Sequence, residues 1–178
     1  MFREMRRNRQ ALSREECEAI LERGSSGVLA VAGDDEYPYA VPLSYVYQSE
    51  GSLEETHSNN RVGTLYFHCA KSGHKLDALT RNPKASFCVI DQDEIIPEKY
   101  TTYFRSVIVF GTVRIVEEDQ EKQQAAELLA LKYSPGESEE SRAAEIKGAW
   151  ERLCMLELSI EHMSGKEAKE LRQQKGKL

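Results

Sequence analysis

No apolar run in this sequence approaches the ~20 residues that a membrane-spanning helix needs, and no signal-peptide hydrophobic region opens it. The protein is expected in the cytoplasm, with no membrane partner. Cysteine is scarce. Cys17, Cys69, Cys88 and Cys154 are widely spread and form no C-x-x-C pair, so free thiols in a reducing compartment are expected. Positive charge is in deficit: the formal net charge is -6 and the pI near 5.4, which argues against a nucleic-acid partner. The basic N-terminus (Arg3, Arg6, Arg7, Arg9) and the lysine-rich tail from Lys166 read as solvated ends. Neither G-x-G-x-x-G nor G-x-x-x-x-G-K occurs, which removes the Rossmann and P-loop readings, and no G-x-S-x-G elbow supports a hydrolase. Internal repeats and linkers are also missing, so residues 1–178 are expected to form one domain, with its core over about 5–166.

What remains is an ordinary globular composition, 30% charged and 40% hydrophobic. Ser13-x-x-Glu16 is a capping box that starts a helix, and Gly24 stops it. Gly27–Ala32 is strand-like, and the turn Gly33-Asp34-Asp35 makes a strand around Tyr39–Tyr47 its hairpin partner. Pro42 within that partner calls for a sheet edge, a bulge or a backbone reserved for a ligand. Gln48–Gly63 reads as a polar surface loop, and Lys84–Asp91 as a strand. Gln92–Tyr103 reads as an irregular loop. Arg105–Val116 is a long strand bent near Gly111, and Glu117–Tyr133 an amphipathic helix. A short helix up to about Trp150 leads into a last strand, Leu153–His162, whose alternation suits a half-buried position. Six mostly antiparallel strands with inserted helices predict a closed or partly closed β-barrel with peripheral helices, mainly β within an α+β chain.

Tyr66–Leu79, YFHCAKSGHKLDAL, carries the most chemistry. A strand runs through a Lys-Ser-Gly turn straight into a helical pattern, with Ser72 as the expected N-cap and Leu76 and Leu79 on one buried face. A helix start offers unpaired N–H groups and the positive end of a dipole. Lys71, Gly73, His74 and Lys75 converge there, as an anion cradle or as a helix start with ordinary surface cations. A metal centre is disfavoured because His68 and Cys69 are neighbours on a strand and point to opposite faces. The same geometry keeps His68 from serving Cys69 as a base.

Taken together, GVLAVAGDDEYPYAVPLSYVY (Gly27–Tyr47), YFHCAKSGHKLDAL, RNPKASFCV (Arg81–Val89), IIPEKYTTYFRSVIVFGTVRIVE (Ile95–Glu117) and IEHMSGK (Ile160–Lys166) resemble a known family in order and spacing. It is the flavin-binding split β-barrel family related to pyridoxamine 5'-phosphate oxidase, and the nitroimidazole-resistance branch is the most similar. The resemblance spans about Met5 to Lys166. It implies a six-stranded antiparallel split barrel with FMN at a homodimer interface. The backbone of Val41, Pro42, Leu43 and Ser44 would then run along the flavin ring. His68, Cys69 and Ala70 would lie near the ring and ribityl chain. Lys71 to Lys75, including Gly73 and His74, would hold the phosphate, with Lys75 in direct charge contact. Ser106, His162 and Lys166 would complete the pocket from the partner subunit. The implied function is an FMN-dependent oxidoreductase that takes electrons from NADH or NADPH and reduces a small acceptor such as a nitroaromatic compound. No side chain is expected to act as a catalytic group, since the flavin carries the chemistry. A flavin-binding sensor or carrier without turnover is the alternative.

Overall fold

A computed structural model describes residues 2–49 and 62–175. Its strands are β1 (Ser26–Ala32), β2 (Pro38–Ser44), β3 (Val46–Ser49), β4 (Gly63–Ala70), β5 (Lys84–Ile96), β6 (Thr101–Ile115) and β7 (Leu153–Glu167). The helices are α1 (Arg14–Arg23), α2 (His74–Arg81), α3 (Asp119–Tyr133), α4 (Glu139–Ala149) and α5 (Lys169–Lys175). None of them is long and apolar enough to cross a membrane. All strand pairs are antiparallel, in one seven-stranded sheet of order β2-β1-β5-β6-β7-β4-β3 whose hydrogen-bonded ladder does not close.

The expected count of six strands is therefore corrected to seven, because the span Tyr39–Tyr47 is two strands, not one. The chain leaves the ladder at Tyr45, where its backbone turns to the hydroxyl of Tyr133. That hydroxyl accepts from the Tyr45 N–H at 2.9 Å and shares its single proton between the Ser25 and Tyr45 carbonyls. One residue thus joins the two outermost strands of the sheet, β2 and β3. The sheet has to curl until its edges meet, and the result is a barrel split along one seam.

The barrel interior is filled by Leu29, Val31, Leu65, Phe67, Phe87, Val89, Val107, Val109, Leu156, Leu158 and Ile160, with Ile20 and Leu21 of α1 and Leu76 and Leu79 of α2 packed in. Outside the barrel, Val46, Tyr66, Met155 and Val116 pack under Ala125, Ala126 and Leu129 of α3 and Ile146 of α4. The middle of β7, expected to be half-buried, is therefore covered on both faces, and Cys154–Leu158 are all buried. Beyond His162 the strand continues to Glu167, paired with β6.

Gln92–Tyr103 is also corrected. Gln92–Ile96 pairs with Thr101–Arg105, and the chain reverses through Pro97–Lys99 and a left-handed Tyr100 (φ 49°, ψ 43°). The result is an arm that leaves Ile95 and Tyr100 almost bare. The capping box of Ser13 and Glu16, the β1–β2 hairpin and the irregularity at Phe110/Gly111 are as expected. At Gly111 a side chain would run into the Ser159 carbonyl, which is why the bulge falls at a glycine. Most of the expected loop Gln48–Gly63 lies outside the described residues. Its ends belong to strands, Gln48 to β3 and Gly63 to β4.

Candidate functional site

β4 delivers His68, Cys69 and Ala70 to the end of the barrel, opposite Met155, Cys154 and Leu153 of β7. Opposed residues in an antiparallel ladder share a face. Cys69 accordingly packs on the barrel core while His68 faces outward and is exposed. The chain then bends through Lys71, Ser72 and Gly73 into α2. The cap is Gly73 (φ 129°, ψ 166°) and not the expected Ser72, since α2 has no side-chain cap at all. The Gly73 carbonyl accepts from Leu76 and Asp77, which leaves the N–H groups of His74 and Lys75 without an intrahelical acceptor. At this positive φ an L side chain is strained, and the space where a Cβ would stand is open to 4 Å.

The cations of the turn divide. His74 is engaged: its Nε2 lies 3.3 Å from Asp34, which also binds Arg81 at 2.5 Å, and its ring stacks on Tyr39 at 4.2 Å. This clamp joins the β1–β2 turn to both ends of α2. It went unread in the sequence, because nothing local connects Asp34 to residues 40 or more positions away. Lys71 and Lys75 form no ion pair or hydrogen bond with the described residues. Lys75 is half-buried and near enough to Cys69 for its charge to pull that thiol's pKa down, although burial and the neighbouring Cys154 push it up to about 12.

β2 is an edge strand, the first of the three settings that Pro42 allows. Val41 and Leu43 pack on the barrel core, whereas Pro42 and Ser44 face outward and pair with Val28 and Ser26. β2 also approaches β4 across the seam. The stretch Val41–Ser44 and the end of β4 thus belong to one region.

Ser106, His162 and Lys166 do not join that region. Ser106 and Lys166 are opposite one another, and His162 is opposite Phe110. Lys166 lies at the far end of β7 from Met155, the partner of His68, roughly 35 Å away along an extended strand. They stand instead beside an outward sheet face of apolar character. Pro42, Val28, Cys88, Ile108 and Ser164 form one register row across five strands, and Ala40, Ala30, Ser86, Phe110 and His162 form the next. Val28, Ile90, Ile108 and Phe110 are all exposed on this face. Phe2 stacks on His162 at 4.6 Å, a contact the sequence did not advertise.

Among the described residues no group of three or more His, Cys, Asp or Glu is arranged to hold a metal. A cavity of about 550 Å³ lies between α3, α4 and Tyr66 of β4. A second, of about 440 Å³, is bordered by Lys71, Leu76, Trp150 and Cys154.

A split barrel with a cationic turn at the head of α2 defines a class, and comparison with known proteins narrows it. The chain belongs to the pyridoxamine 5'-phosphate oxidase family, whose model matches residues 13–167. An uncharacterized protein of Rhizobium meliloti is 31% identical over 103 residues, which are 57% of this chain and 54% of that protein; the match thus spans about half of the relative's length. Among solved structures, the chain is similar to a Bacteroides thetaiotaomicron protein assigned provisionally to 5-nitroimidazole antibiotic resistance (TM-score 0.65, 19% identity, 88% of this chain and 85% of that one). It is also similar to an FAD-binding protein of Mesorhizobium loti (TM-score 0.56, 24% identity, 89% and 97%). At these identities the two structures establish the shared fold.

Proposed function

We propose that the chain binds FMN between two copies of itself and works as an oxidoreductase. In this reading, electrons pass from a reduced nicotinamide to a small acceptor such as a nitroaromatic compound. The observation that carries the flavin reading is the turn Lys71–Lys75, with two lysines that no described residue pairs, a helix start without a side-chain cap and open space over Gly73, in a chain of this family. The residues present suit a phosphate-bearing flavin: Lys75 supplies charge, the His74 and Lys75 N–H groups supply donors, and the Asp34 clamp holds the helix start in place. Val41–Ser44 offers an edge-strand backbone for the ring. The bound flavin supplies hydride and electron transfer, and the chain orients it and excludes water.

The same geometry supports the homodimer. Lys166, and Ser106 opposite it, lie too far from His68 to share its ligand within one chain. A second copy seated on the face of Val28, Ile108 and Phe110 would supply them and would cover apolar surface that is exposed in one chain.

The absorption spectrum of the purified protein tests the cofactor. A colourless protein that takes up no added FMN sinks the reading. Bound flavin that neither NADH nor NADPH reduces without oxygen points to a carrier or sensor in place of an enzyme. Lys75→Ala is expected to weaken FMN binding by about 10- to 150-fold, the equivalent of a charge-assisted contact worth roughly 1.5–3 kcal/mol. An unchanged affinity in a fluorescence titration places the phosphate elsewhere.

A further inference from the structure

Cys69 and Cys154 stand directly opposite one another on β4 and β7, in a register that runs unbroken from Thr64↔Ser159 to Ala70↔Leu153. Both side chains turn to the barrel core, both thiols are free, and Cys154 is near enough to raise the pKa of the Cys69 thiol. An antiparallel pair holds its Cα atoms about 4.5 or 5.5 Å apart, according to its place in the ladder. Either separation lies inside the ~4.4–6.8 Å that a disulfide spans. No other cysteine competes. Cys17 is buried against Leu12 and Gly165, and Cys88 lies in the outward register row with Val28 and Ile108.

We propose that Cys69 and Cys154 are a redox pair that closes into a reversible cross-strand disulfide, tying the end of β4 to β7. The oxidant is a small-molecule disulfide. Cys69, the more exposed of the two, attacks it as thiolate, forms a mixed disulfide and releases one small thiol. Cys154, which borders the 440 Å³ cavity, then attacks the Cys69 sulfur and releases the second. Two protein thiols are oxidised, one external disulfide is reduced to two thiols, and the protons remain with the products.

Burial makes the pair slow. With the Cys69 thiol pushed up to about 12, its thiolate is sparse at neutral pH, and closure is expected to quicken about tenfold per pH unit below that value. Such a pair responds to sustained oxidation, not to a brief pulse. The bond would form two residues before Lys71, at the root of the cationic turn. Its formation does not depend on any ligand being there.

The test is incubation of the full-length protein with oxidised glutathione at mildly alkaline pH, followed by thiol counting and non-reducing peptide mapping. Reactive thiols, counted after unfolding, should fall from four to two. Cys69 and Cys154 peptides should be linked, and dithiothreitol should restore all thiols. Cys88→Ser should close as the native chain does, whereas Cys154→Ser should stop at a glutathione adduct on Cys69. A native chain that keeps its adduct on Cys69 with Cys154 still free, or that retains all four thiols throughout, overturns the proposal.

Discussion

Ile108→Asp is expected to give a folded monomer that no longer holds flavin tightly. Ile108 sits in the middle of the outward register row, between Cys88 and Ser164, and is 38% exposed within a single chain. A carboxylate there meets water in the monomer and leaves the barrel core untouched. In the proposed dimer it would be buried without a partner. An unpaired charge at the centre of an interface costs several kcal/mol, so the dimer should weaken at least about 100-fold. Light scattering at micromolar concentration reads the mass, and an FMN titration reads the loss of the pocket that the second chain completes. A mutant that remains dimeric with native flavin affinity shows that this face is not the interface. A monomer that still binds FMN tightly separates the cofactor site from the dimer and keeps only the first half of the proposal.

The second large effect is expected inside the barrel. Phe87→Ala should cost about 3–5 kcal/mol of stability, the range for deleting a buried aromatic ring. Phe87 is fully buried, with ring centroids 5.0 Å from both Tyr45 (71° between planes) and Phe67 (59°). Its ring also lies over β1 where a Cβ on Gly27 would stand only 2.5 Å away. The cavity left by alanine would therefore touch β1, β4 and the residue that joins the sheet edges at once. Chemical denaturation followed by circular dichroism gives the loss directly. A cost below about 1 kcal/mol means that the neighbours collapse into the gap and that this aromatic cluster is not what holds the barrel together.

Much of this architecture could be read before the structure, because its signals are local. The capping box of Ser13 and Glu16 lies within four residues, and the β1–β2 hairpin is announced by its turn. The segment Tyr66–Leu79 shows its strand, turn and helix in order. The features that escaped are set by partners far away in the chain. Tyr133 breaks the strand at Tyr45 from 88 positions away, so one predicted strand became two and the count rose to seven. Gln92–Ile96 lacks alternation and ends at a proline; only its pairing with Thr101–Arg105 makes it a strand. Ser72 has the chemistry of a cap, but the positive φ of Gly73 lets glycine take the position without a side chain. At the site, His74 resembled an anion ligand until Asp34 and Tyr39 claimed its ring. The resemblance already set Ser106, His162 and Lys166 apart as residues of the partner subunit, but the exposed apolar rows beside them depend on a register across five strands that no local signal reveals.

The single-residue link at Tyr45 also bears on solubility. An open seven-stranded sheet would present two free edges, each a template for a strand from another molecule. Here Tyr45 joins β2 directly to β3, β2 approaches β4 across the seam, and Pro38 and Pro42 remove backbone donors from β2. Loss of the Tyr133 hydroxyl in a Tyr133→Phe variant would loosen that junction, and the first consequence would be strand-to-strand self-association, not unfolding.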